Sequence, residues 1–385
     1  MAMTTAIEQF HIAIKNVDDP RVAGRTTYPL GSILLLTLAA VTAGADGPEE
    51  IETFGDERLD WFESIGDFDA GIPSHDTIGR VLSMICPDQF AAALLAWHRT
   101  ITATGEVTAE TGGGPELIRF DGKTARGSYT TLAKDDALHV VSAFAEHSGL
   151  TLGQRSIDGK ENEIIAIDEL IDGIDVKGSV CTVDAIGAQK KIAAKIIDAE
   201  ADYVFAIKDN HPTLAEAIRD FFVEHLSDGP RAAGMLQKST SEKGHGREDE
   251  RHYTICPIPG SMKELTDAWP GAKCIGQVVN LSRDSRGKES FQVRYYLSSR
   301  KAKVGEFAKS VRGHWSIESL HWILDVVFHE DASRVRMGNA QANLSYVRKY
   351  VTGLLKVDTL KRSLKQKRKS AGWNTGYLEK LLQIA

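Results

Sequence analysis

Cysteine is scarce in this chain and never set at redox or metal-ligand spacing. The four, Cys86, Cys181, Cys256 and Cys274, are scattered over 385 residues without a C-x-x-C pair. This excludes a zinc ribbon and a disulfide framework, and it fits a protein kept reduced. An excess of positive charge is missing too. The formal net charge of -7 argues against a uniformly basic nucleic-acid coat, while leaving room for a local basic face. Long apolar runs are absent. Residues 26–45 are uncharged, but Pro29, Gly31, Gly44 and several Thr and Ser interrupt them. The apolar remainder is too short to span a bilayer, so a buried helix and no membrane association are expected. No basic region followed by an apolar core opens the chain, so no signal peptide and a cytoplasmic location are expected. A G-x-S-x-G nucleophile elbow is also lacking.

What remains is an ordinary globular composition, 42% hydrophobic and 26% charged, with length for two or three domains. Residues 1–110 read as helical. Leu30, Ile33, Leu34, Leu38 and Val41 form a stripe at helical spacing, and Ser74 or Asp76 can cap a helix carrying Ile78, Val81 and Leu82 inward. The Gly- and Thr-rich stretch 104–115 reads as a linker. The period then changes. Leu117–Phe120, Ala137–Phe144 and Leu150–Ser156 read as strands, the last two joined around His147-Ser148-Gly149 as a hairpin. Helix 163–171, strand Val180–Val183, helix 188–199, strand Tyr203–Ile207 and helix 213–226 follow. A strand-rich polar insertion occupies about 227–300, with Glu242-Lys243-Gly244-His245 read as a polar loop. Helices return at 303–330 and 339–356. The order predicts an α/β protein, a mixed sheet flanked by helices behind a separate helical N-terminal domain. Residues 361–385 read as a basic C-terminal tail. Its run Lys361-Arg362-Ser363-Leu364-Lys365-Gln366-Lys367-Arg368-Lys369 suits a solvated segment that could add phosphate contacts.

Three carboxylates carry the chemistry. Asp121 closes Leu117-Ile118-Arg119-Phe120, Asp184 closes Val180-Cys181-Thr182-Val183, and Glu318 lies in the helical segment His314–Trp322. Each has a plain alternative: Asp121 as a turn residue before Gly122-Lys123, Asp184 as a helix cap, and Glu318 in a solvated charged stripe. In α/β segments, however, ligands gather at the carboxyl ends of strands. The Trp and His around Glu318 also suit a solvated face poorly. If the three converge, they supply hard oxygen ligands for divalent ions that drive phosphodiester chemistry. Lys123, Arg126, Lys208, His245, Arg247, Arg312 and His314 are candidate cations to offset the acids when DNA docks. Gly122-Lys123-Thr124 is not a phosphate loop, because Leu117 stands where its first glycine belongs. Glu318-Ser319-Leu320-His321 has di-iron spacing, but the strands argue against that bundle.

Three blocks bear a family likeness. They are Ile118–Ser128; Val183–Gln189 with Tyr203–His211; and Arg312–Glu318 running on through Leu320–Val326 to Phe328-His329-Glu330-Asp331. Tyr28-Pro29-Leu30, Ala43-Gly44-Ala45 and Ile72–Thr77 add pieces from the front domain. Together they resemble bacterial insertion-sequence transposases of the DDE type, in the H-repeat-associated group, with that group's associated N-terminal domain. The resemblance implies an RNase-H-like core with Asp121, Asp184 and Glu318 as catalytic and metal-binding residues. Residues 111–360 would form the catalytic domain, and 1–110 could recognise DNA ends. It implies Mg2+, with Mn2+ as a substitute, and cleavage at element ends followed by strand transfer into target DNA. The implied partners are double-stranded DNA, namely terminal inverted repeats and target, and a second copy of the chain when ends synapse. The implied location is the bacterial nucleoid. A nuclease without strand transfer, or an inactive DNA-binding relic, would share these residues. One departure stands out: related chains often carry Tyr, Arg and Lys seven before, four before and seven after the final Glu. Here those positions are Val311, His314 and Asp325.

Overall fold

A helix with no polar face has to be buried on every side. In the computed structural model the uncharged N-terminal stretch becomes such a helix, apolar all round and buried along nearly its whole length. The structure describes residues 6–104, 114–124, 139–157, 163–225, 234–244, 246–314 and 316–383. The opening helices are α1 (Ala6–Ile14), α2 (Leu30–Ala43, the buried one), α3 (Pro48–Asp56), α4 (Leu59–Ile65), α5 (His75–Met84) and α6 (Pro87–Thr104). Strands β1 (Leu117–Thr124), β2 (His139–Ala145) and β3 (Thr151–Ile157) follow. Next come α7 (Glu163–Gly173), β4 (Val180–Val183), α8 (Lys190–Asp198), β5 (Asp202–Ile207) and α9 (Pro212–Glu224). The insertion holds β6 (Leu236–Gly244), β7 (Arg247–Pro257), α10 (Lys263–Thr266), β8 (Cys274–Asp284) and β9 (Glu289–Ser298). The chain ends with α11 (Val304–His314), α12 (Ser316–Val326), α13 (Ala340–Val357), α14 (Leu364–Trp373) and α15 (Thr375–Leu382).

Among the described residues the strands make one mixed sheet, ordered β3-β2-β1-β4-β5-β9-β8-β7-β6. β1, β4 and β5 are parallel neighbours. β2 with β3, β5 with β9, β9 with β8, β8 with β7 and β7 with β6 pair antiparallel, the insertion running out from β5. The mixed α/β fold with flanking helices, an inserted β segment and a helical N-terminal region is thus the expected one. No single helix among the described residues is long and apolar enough to cross a membrane.

Contacts divide the chain into two units. The first gathers Met1–Gly113, Gly122–Asn162 and Glu318–Ala385, and the second gathers Gly114–Asp121 and Glu163–Ile317. In the first, α2 and α13 are buried along most of their length. The β2–β3 turn meets α13 where two glycines touch: Gly149 takes φ +68°, and a Cβ on Gly353 would lie 2.8 Å from its carbonyl oxygen. In the second, Leu117, Val180, Val204, Ile255, Val278 and Tyr296 form a core with Phe307 and Val311 of α11.

Two segments differ from the sequence reading. Glu242–Gly244 belong to strand β6 rather than to a loop. That strand is polar and exposed on nearly every residue, so no alternation marks it, and only its ladder to β7 holds it extended. The basic C-terminal run is folded. Ser363 and Gln366 form a capping box that starts α14. The ammonium of Lys367 donates to the carbonyls of Leu355 at 2.8 Å and Asp358 at 2.6 Å, closing the end of α13. Arg368 is buried as well, donating to the carbonyls of Val41, Val327 and Ala45 and to the Asp46 carboxylate at 2.7–3.0 Å. Lys361, Arg362, Lys365 and Lys369 remain exposed.

Candidate active site

Strand register sets the two aspartates side by side. In the β1–β4 ladder Phe120 stands opposite Val183, so Asp121, within β1, and Asp184, just past the end of β4, follow side by side; β1 itself runs beyond the expected end at Phe120 to Thr124. Strands in such a ladder run about 4.8 Å apart. Both residues are half-buried. A backbone N–H from Gly187 donates to Asp184 Oδ1 at 3.0 Å. That approach depends on glycine, since a Cβ at Gly187 would meet Ile167 Cδ1 at 2.8 Å. Burial pushes the Asp184 carboxyl above its ordinary range; the Gly187 bond opposes the shift and the nearby Glu163 adds to it. A desolvated acid beside another acid is a place where a cation is favourable.

Behind Asp184 lies a cleft of about 600 Å³, walled by the ends of β4, β5 and β9 and by α9 and α11. Lys208 and His314 line it, together with Arg219, Arg294 and Tyr295, which sequence reasoning had not singled out. His314 Nδ1 sits 3.2 Å from Thr182 Oγ1. Burial, then the charges of Arg119 and Arg294, hold its pKa down to about 4. It is therefore a neutral hydrogen-bonding group at neutral pH. Arg119, wholly buried in β1, left one available signal, a guanidinium inside an otherwise apolar strand. His321 on α12 is also held at about 4, by burial and then by Lys349 and Lys123. These histidines stay neutral in the folded state while unfolded imidazoles protonate below 6.5, so folding stability should fall as pH drops from 6.5 towards 4. Urea melts across that window, compared with His314→Gln and His321→Gln, check this; flat curves would reject it.

Other candidates are already engaged. Arg312 pairs with Glu242 at 2.9 Å, and Arg247 with Asp249 at 2.9 Å. Lys208 is exposed, 3.6 Å from Asp209. Lys123 lies among Asp325, Glu330 and Asp331, whose charges outweigh the burial of its ammonium and raise its pKa. Glu318 is exposed on the first turn of α12. Arg126 and His245 lie outside the described residues. Among the described residues no group of three or more His, Cys, Asp or Glu is gathered to hold a metal. The donor set nonetheless suits a hard divalent cation. Asp121 and Asp184 bring carboxylates to neighbouring positions on adjacent parallel strands, and Asp184 has no ion pair among the described residues.

Two family models match the sequence. The "Transposase DDE domain" family matches residues 112–350, and the family described as DDE_Tnp_1-associated matches residues 12–98. The chain belongs to the DDE transposase family. The "Putative transposase YncI" of Escherichia coli O157:H7 is 39% identical over 96% of this chain and 93% of its own length. The "H repeat-associated putative transposase YhhI" of E. coli strain K12 is 37% identical over 97% and 96%. An "Inactive transposase YbfQ" from the same strain is 51% identical, but over only 19% of this transposase and 84% of its own length. The resemblance seen in the sequence, including the associated N-terminal domain, is thereby borne out. The first five strands, in the order 3-2-1-4-5, belong to the mixed sheet with flanking helices that the sequence led one to expect.

Proposed function

We propose that this chain is a DNA transposase that cuts at the ends of its element and joins them to target DNA. Asp121, Asp184 and Glu318 would be its catalytic and metal-binding carboxylates. The observation that supports the reading is the register that sets Asp121 of β1 beside Asp184, just past the end of the parallel strand β4. Glu318 would complete the set. It follows four residues after His314, whose ring bonds Thr182 on β4, and four residues span at most about 14 Å. Bound Mg2+, or Mn2+ in its place, would supply Lewis-acid activation of the phosphodiester and of the attacking oxygen. The chain's residues do the rest. Gly187 orients the Asp184 carboxylate, Thr182 fixes the neutral His314, and Lys208, Arg219 and Arg294 offset phosphate charge in the cleft. The helices before residue 110 would recognise the inverted repeats, and a homodimer would bring two ends together at the nucleoid.

The test uses the purified full-length chain with duplexes made from the DNA flanking its reading frame. Cleavage that requires Mg2+ or Mn2+, followed by joining of precleaved ends to a target plasmid, is expected. Cleavage without joining would leave a nuclease. Duplex binding that persists in EDTA, with no cleavage when Mg2+ returns, would leave a relic like the relative named inactive.

A further inference from the structure

Lys123 lies two residues beyond Asp121 on β1, yet its ammonium is anchored rather than offered to solvent. Its side chain is 9% exposed, and Nζ lies 2.7 Å from Asp325 Oδ1, 3.0 Å from Glu330 Oε2 and 3.5 Å from Asp331 Oδ1. Asp325 belongs to the last turn of α12, and the other two acids open the 3-10 turn Glu330–Ala332. Glu330 is itself buried, with Arg348 Nη1 at 3.9 Å.

We propose that Lys123 is a positioning residue, whose ion pair with Asp325 ties the end of β1 to α12 and so fixes the setting of Glu318. The proposal rests on Asp121 and Glu318 being catalytic. Glu318 and Asp325 are seven residues apart on one helix, about 10 Å along a rigid rod. Pinning the last turn of α12 therefore constrains the first. On the strand side, Lys123 is one pleat repeat, about 7 Å, from Asp121. Three carboxylates around one ammonium leave no surplus positive charge for a phosphate. They also repel one another once that ammonium is gone, which would release the end of α12. Asp325 is the other half of the tie: the cation comes from the strand and the acid from the helix.

Full-length Lys123→Met, Lys123→Arg and Asp325→Ala test this with three readouts. These are Mg2+-dependent cleavage of the flanking-DNA duplex, its binding in EDTA across a salt series, and hydrogen exchange along α12. The Met and Ala variants should each lose cleavage by about 100-fold, as misplacement near 1 Å does. Binding and its salt slope should stay unchanged, and α12 exchange should quicken. The double variant should be no worse than either single one, because both break the same tie. Lys123→Arg should restore most of the activity. Weaker binding with a salt slope reduced by about one in Lys123→Met would instead make Lys123 a phosphate contact and overturn the proposal. Unchanged exchange and cleavage would overturn it as well. If Lys123→Met fails to fold, Asp325→Ala, at a side chain that is 34% exposed, carries the same comparison. If wild-type protein cuts nothing while exchange still responds, the catalytic reading fails and the tie stands.

Discussion

Asp184→Asn should leave a folded protein that has lost DNA cleavage by on the order of 10²–10³-fold or more. The substitution keeps shape and the acceptor for the Gly187 N–H, so geometry at the strand end survives. It removes the charge that a divalent ion needs. The stability effect should run the other way. Burial and the nearby Glu163 raise the Asp184 pKa, so the unfolded state ionises this group more readily than the folded one. Ionisation therefore costs stability as pH rises through the folded pKa, and that cost is fully present above it. Asn cannot ionise, so the metal-free variant should melt no lower than wild type at neutral pH. Mg2+ or Mn2+ should raise the wild-type Tm by a few degrees and leave the variant's unmoved. Calorimetry with and without the ion, beside the cleavage assay, separates the two effects. A variant that unfolds, or one that still cuts, contradicts the assignment.

Arg368→Met should be the most destabilising change, by about 3–5 kcal/mol. The guanidinium reaches three backbone carbonyls and the Asp46 carboxylate from a buried position, and it lies 4.4 Å over the Phe328 ring. Met replaces the volume but leaves the Val327 and Ala45 carbonyls without their donor, which is the expensive half of a broken hydrogen bond, while Val41 keeps the Gly44 N–H and Asp46 keeps His329. Its exposed neighbour Lys369 provides the contrast: Lys369→Ala should stay within about 0.5 kcal/mol. Urea denaturation of both settles the matter. Equal, small effects would mean that this run is only a charged surface.

These two cases show what a sequence can and cannot display. Asp121 and Asp184 were legible because each ends an apolar run whose length and β-branched content mark a buried strand. Pairing the two runs in parallel then follows from the helices between them. Glu318 was legible only as a member of a helix. The role of Arg368 was hidden because burial of a charge depends on carbonyls far away in the chain, and nothing local distinguishes it from Lys369. Lys123 was misleading for the same reason. A cation next to a candidate catalytic acid suggests DNA, whereas Asp325, Glu330 and Asp331 surround it from about two hundred residues later. Strand β6 was missed because it is polar on both faces, so only a neighbour's backbone reveals it. Arg126 and His245 stay where the sequence left them, as candidates.

The reach of Arg368 also bears on synthesis. Its bond to Val41 spans 327 residues. At the ribosome's pace of about 5–20 residues per second, the carbonyls at the end of α2 wait tens of seconds for that guanidinium. Gly44 caps the end of α2 locally, but during this interval the all-apolar helix stands without α14 packed against it. A nascent chain stalled short of α14 would therefore be a good chaperone client, and a truncated copy of the gene would yield a product that aggregates before it can meet DNA.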